Sequence, residues 1–231
     1  MPFKDPPRRR VFCMPSKRAL IFANGQLPDL SAAATLLQPE DLLIAADGGA
    51  HIILALGKTP HVIIGDLDSL LPGEVSPLQQ AGAVILRHPP EKDETDLELA
   101  LHYALQQGCT SLRVVGGLGG RIDQTLANIF LLASPALSAT DIRLDDGREE
   151  VFLIRSAAIL QGRPGDTVSL LPLGNPTRGV TTGGLRYPLK DETLWPDRSR
   201  GVSNEMTASE AFVRLSEGIL ICIHTRKAGN L

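Results

Sequence analysis

The chain has 231 residues, room for one large domain or two small ones, and 43% of them are hydrophobic, enough for a substantial core. A formal net charge of −3 excludes a global basic field of the kind that recruits nucleic acid or a membrane surface. Three cysteines, Cys13, Cys109 and Cys222, are far apart and odd in number, which argues against a disulfide framework or a Cys-based zinc site and suits a cytoplasmic location.

In chain order, residues 1–18 ("MPFKDPPRRRVFCMPSKR") are rich in Pro and Arg and lack the long apolar stretch of a secretory signal. They read as a loosely packed arm, with a targeting or phosphate-touching role as the alternative. Nowhere does an apolar run reach the ~18 residues of a membrane span. Short apolar runs then predict strands at 19–23, 42–46, 61–65, 83–87, 112–117 and 141–145. Helical patterns separate several of them. The clearest is 95–108, where Thr95 and Glu98 predict a capping box, Gly108 a stop, and Leu97, Leu101, Ala104 and Leu105 one apolar face. A second helix-like stretch begins at Gln124. This alternation predicts an α/β domain over 19–146, with a mostly parallel sheet flanked by helices. From 147 the chain is punctuated by Gly and Pro between short β-like runs, and 147–231 is expected to form a small all-β sandwich.

Acidic residues gather where the predicted strands end. Asp66 and Asp68 follow the strand at 61–65, Asp47 follows that at 42–46, and Asp96 follows 83–87 after a short loop. Carboxylates two apart in an extended chain share a side and repel unless a cation or proton intervenes, and hard oxygen donors suit Mg²⁺. Asp-x-Asp-Ser also makes turns and caps, and Asp96 is also favoured by the dipole of its helix. Four such positions on one sheet edge are more than turn chemistry alone accounts for. "GGLGGRIDQ" (116–124) ends another strand; its glycines admit an anion to the backbone, and the following helix start adds a favourable dipole. The string matches neither the P-loop nor the complete dinucleotide fingerprint.

"ANG" (23–25), "AADGGA" (45–50), "GDLDS" (65–69), "KDETD" (92–96), "GGLGGRIDQ" (116–124) and "GVSNE" (201–205), in this order, resemble the thiamine pyrophosphokinase family over roughly residues 19–225. The resemblance implies an α/β nucleotide domain, a thiamine-binding β-sandwich, and a homodimer with active sites between subunits. It implies transfer of the pyrophosphoryl group of ATP to the hydroxyl of thiamine, giving thiamine diphosphate and AMP. Asp66, Asp68 and Asp96 match the Mg²⁺ and catalytic aspartates. Asn24, Asp47, Gly48, Gly116, Gly117, Gly119, Arg121, Asp123 and Gln124 match nucleotide-side positions. Lys92, Ser203 and Asn204 match the thiamine side. The stretch 189–205, which contains Trp195, is longer and more charged than the family pattern, and Trp195 reads either as a thiamine-stacking ring or as a packing anchor. A different Mg²⁺-dependent phosphotransferase on the same frame, or a nucleotide or thiamine sensor without chemistry, are the rival readings.

Overall fold

A computed structural model describes residues 17–227, so all but the last two residues of the expected N-terminal arm lie outside the described residues. Six strands, β1 (Lys17–Phe22), β2 (Leu42–Ala46), β3 (Val62–Gly65), β4 (Val84–Arg87), β5 (Cys109–Val115) and β6 (Asp141–Asp145), pair in parallel in the order β6-β5-β1-β2-β3-β4. Each predicted strand is present with its ends shifted by at most a few residues. The central ones are continuous apolar runs because helices cover both of their faces.

Those helices are α1 (Leu30–Ala34), α2 (Gly49–Ala55), α3 (Pro72–Gln80), α4 (Asp96–Gln106) and α5 (Ile122–Leu131). One core joins Ala33, Ala50, Ile53 and Leu78 of α1, α2 and α3 to Leu20, Phe22 and Ile63 of the sheet. The other joins Leu97, Ala100, Leu101 and Ala104 of α4 to Ile21, Ile44, Ile64 and Val114. Burying one such leucine contributes about 1.5–3 kcal/mol. Of the expected capping box only the Thr95 half forms, its side chain accepting from the Glu98 amide at 3.2 Å. Thr95 is exposed, so water can satisfy its own amide.

The second part is all strand: β7 (Glu149–Ile154), β8 (Ala157–Gln161), β9 (Thr167–Pro172), β10 (Thr177–Gly183), β11 (Glu192–Leu194), β12 (Asn204–Glu205), β13 (Glu210–Arg214) and β14 (Leu220–Thr225). β7 turns back antiparallel on β6 and extends the first sheet, whose full order is β12-β9-β14-β7-β6-β5-β1-β2-β3-β4. A four-stranded sheet, β11-β10-β13-β8, packs on this antiparallel end around Phe152, Leu170, Val180, Leu194 and Val213. The turn at residues 146–148 therefore joins two parts of one continuous ladder. Beside it, the fully buried His224 lies between the carboxylates of Glu150 (3.0 Å) and Asp166 (3.1 Å), while Arg226 forks onto Asp145.

Candidate active site

The parallel order places β1 between β2 and β5. Successive strands run outward from β1 through β2, β3 and β4, and the chain then returns to add β5 on the other side. The carboxyl ends of β1 and β5 therefore flank a topological switch point, where α/β sheets open a crevice. Two loops meet there. A Cβ on Gly25 would lie 2.1 Å from the Gly116 carbonyl oxygen, and Gly116 itself has φ of +71° with its absent Cβ 2.5 Å from the Ala23 carbonyl. Only glycine permits this approach, so the "ANG" and "GGLGG" strings are halves of one junction.

A cleft of about 590 Å³ opens over that junction, a size suited to a small-molecule ligand. Asn24, Asp47, Gly116, Gly117, Gly119, Arg121, Gln124, Lys92 and Asp96 all line it. Arg121 caps α5 without a side-chain bond, and of the first-turn amides that of Gln124 donates to Asp123 Oδ1 at 2.9 Å, which leaves those of Ile122 and Asp123 for an anion. Gly48 and Asp123 are not among the lining residues. Gly48 instead packs against the Asn24 amide, and Asp123 forms a forked ion pair with Arg121 at 2.5 and 3.1 Å. That pair is exposed; it raises the Arg121 pKa and lowers that of Asp123. Gln26 and Asn128 also line the cleft, and the buried Asn128 amide donates to the Gly117 carbonyl at 2.9 Å. Neither has a distinctive sequence signal; Asn128 lies inside a helical run with nothing to mark its inward aim.

The aspartates converge at the neighbouring strand ends. Carboxylate oxygens of Asp47, Asp66 and Asp68 lie within 4.8 Å of one another. The chain does not stay extended between the last two. Leu67 has φ of +68°, its side chain is buried, and the Asp68 amide donates back to Asp66 Oδ1 at 3.1 Å. Asp47 also has positive φ, at +46°. These bends make Asp47 the third member of the close trio. Asp96 stands beside it, since a Cβ on Gly65 would meet both Asp47 Cβ and Asp96 Cγ at 3.1 Å. Lys92 Nζ lies 2.8 Å from Asp96 Oδ1. Asp47 Oδ1 is buried and has no hydrogen-bond partner, an unmet demand that a cation would fill. Ser69, unassigned by sequence reasoning though inside "GDLDS", donates to Asp68 Oδ1 at 3.2 Å and accepts from the Asn24 amide at 3.1 Å. It ties the acidic loop to the glycine junction.

The C-terminal residues lie elsewhere in the chain's architecture. Ser203 has φ of +57° and is exposed. The Asn204 side chain is occupied at both ends: it accepts from the amides of Tyr187 (3.0 Å) and Glu205 (2.9 Å) and donates to the Tyr187 carbonyl at 2.8 Å. Asn204 thus clamps the backbone at Tyr187 and Glu205 within the second part. Tyr187, Trp195 and Val202 are exposed.

Two family models match the chain. Residues 33–144 match the thiamin pyrophosphokinase catalytic domain, and residues 157–220 match the thiamin pyrophosphokinase vitamin B1 binding domain. A thiamine pyrophosphokinase of Bacillus subtilis is 29% identical over 201 residues, covering 86% of this chain and 92% of the relative. Thiamin pyrophosphokinase 1 of Caenorhabditis elegans is 26% identical over 226 residues, covering 88% and 87%. The crystal structure of the Bacillus subtilis thiamine pyrophosphokinase superposes with a TM-score of 0.82 at 26% identity, covering 92% of this chain and all of that one.

Proposed function

The chain belongs to the thiamine pyrophosphokinase family, and from that premise we propose how its residues divide the reaction. The enzyme transfers the pyrophosphoryl group of ATP to the hydroxyl of thiamine, yielding thiamine diphosphate and AMP. The observation that carries the division of roles is the meeting of an acidic trio, Asp47, Asp66 and Asp68, with a glycine-lined cleft at one sheet edge.

The donor set is all hard carboxylate oxygen and includes the orphaned Asp47 Oδ1, which fits Mg²⁺. Asp47, Asp66 and Asp68 would hold the ion, with Asp96 alongside. When bound, it neutralises charge on the triphosphate. Ser69 restrains the Asp68 carboxylate by donating to it. The amides of the glycine loop and the first turn of α5 receive phosphate oxygens, and Arg121 turns from Asp123 to add its charge. Gln124 and Asn24 fix the rest of the nucleotide. In-line positioning of the thiamine hydroxyl against the β-phosphorus is the other requirement, and one carboxylate of the set takes the hydroxyl proton. Ser203, on a loop held by Asn204, serves the thiamine side.

Among the described residues the cleft is lined by positions between 23 and 128, which supports a reading in which a second copy supplies the thiamine-side loop. Ile122, Leu126 and Phe130 support such a homodimer: they recur every four residues on α5, all exposed. Cys109 and Cys222, buried free thiols, support a cytoplasmic location.

The test incubates purified protein with thiamine, ATP and Mg²⁺ and identifies the nucleotide product. AMP in step with thiamine diphosphate is expected. ADP would mean γ-phosphoryl transfer, and saturable thiamine binding without product would mean a sensor.

A further inference from the structure

Lys92 is the cation seated beside Asp96 at the acidic trio. Its ammonium lies 2.8 Å from Asp96 Oδ1 and 3.4 Å from the Pro89 carbonyl, and its side chain is only 12% exposed. Apart from this ammonium, the buried Asp96 Oδ1 has no partner among the described residues. Asp96 in turn crowds Asp47 across Gly65. Lys92 also lines the same cleft as Gly117, Arg121 and Gln124. Thiamine carries a permanent positive charge on its thiazolium ring, which an adjacent ammonium repels, whereas the transferred pyrophosphoryl group is polyanionic.

We propose that Lys92 is the resident counter-ion of the acidic site: in the nucleotide-free protein its ammonium holds Asp96 beside the carboxylate trio, and when ATP binds it passes to a non-bridging oxygen of the pyrophosphoryl group. The proposal rests on the pyrophosphotransfer reading of the site. The exchange suits lysine, whose flexible four-carbon stem moves a compact charge without fixed geometry. It also explains how four carboxylates coexist before a metal-nucleotide arrives. With Lys92 on Asp96, three negative charges remain for a divalent cation. After the ammonium moves, Asp96 is free to face the incoming cation while phosphate oxygens take its former partner.

The signature is opposite in sign for metal and for nucleotide. Nucleotide-free Lys92→Met, titrated with Mn²⁺ by calorimetry, should bind the ion more tightly than the unmodified protein by about tenfold, because a repelling charge is gone. The same variant should raise the KM for ATP and lower kcat, together by roughly 10- to 100-fold in kcat/KM, with the KM for thiamine unchanged. Lys92→Arg keeps the charge and should leave Mn²⁺ affinity unchanged. Unchanged or weaker Mn²⁺ binding in a folded Lys92→Met overturns the proposal. So does a rise confined to the thiamine KM. If Lys92→Met does not fold, Lys92→Gln replaces it, and Lys92→Arg behaving like Lys92→Gln in the Mn²⁺ titration would assign the effect to shape and overturn the charge argument. The Mn²⁺ titration uses no substrate, so a failure of the unmodified protein to release AMP would remove the pyrophosphotransfer reading through a separate measurement.

Discussion

Leu67 shows how single residues set this site. A left-handed backbone at a bulky residue costs of order 1–3 kcal/mol, and burial of the leucine side chain offsets a similar amount. The bend it makes brings Asp68 round to Asp66 and both toward Asp47. The exposed Asp68 contributes little to packing, so Asp68→Asn should stay folded with a melting temperature within a few degrees while kcat falls by about 100-fold or more. A kcat near that of the unmodified protein would remove Asp68 from the metal set. The Asp66–Asp68 pair is legible in the sequence only together with Asp47 and Asp96, which end or follow neighbouring strands on the same edge; alone, Asp-x-Asp-Ser reads as well as a turn or cap. The membership of Asp47 in the close trio is not, because it depends on φ at Asp47 and Leu67, which periodicity does not encode. For Asn204 the limit is different. The string "GVSNE" marks the place, but whether its amide faces a ligand or clamps Tyr187 depends on a neighbour seventeen residues away.

At the level of elements, the parallel strands are legible because burial on both faces leaves uninterrupted apolar runs. The helices divide. α4 declares itself by its cap and its apolar face, whereas α1 has five residues, α2 opens on glycine and α3 carries Pro77, so none of the three has a readable period. α5 is readable as a helix but turns much of its apolar surface outward: Ile122 is 77% exposed and Phe130 54%. Leu126 sits between them on the same stripe, and Leu126→Glu should convert a dimer to a monomer, halving the mass seen by light scattering. A dimer persisting in Leu126→Glu would take α5 out of the interface. The glycine junction was legible only as two separate strings; that they interlock follows from β1 and β5 being neighbours, a long-range fact.

For the whole molecule, one ten-stranded sheet runs through both regions matched by the family models, and its stability should bend with pH through the cluster around His224. Burial opposes charge on His224, but hydrogen bonds to Glu150 and Asp166 outweigh it and raise its pKa above the ordinary 6.5. Burial likewise opposes the Glu150 carboxylate, yet His224, Arg143 and Arg226 hold it at about 2 against an ordinary 4.5. Glu150 therefore stabilises fully above about pH 4.5 and loses that contribution as the pH falls toward 2. His224 stabilises fully below about pH 6.5 and loses its contribution as the pH rises through its raised value. Thermal melts should show their highest midpoint between these limits, and His224→Gln should flatten the alkaline side of the curve. An unchanged alkaline slope in that variant would assign it to other groups. The unbroken ladder from β4 to β12 has a consequence for motion. Enzymes whose substrates sit between two lobes often close by rotating one lobe about a few hinge residues. Here the turn at 146–148 is bracketed by paired strands, and such a rotation would tear the β6–β7 ladder. A motion that keeps this ladder intact leaves the sheet on both sides of the turn as one frame and is confined to the loops at the strand ends.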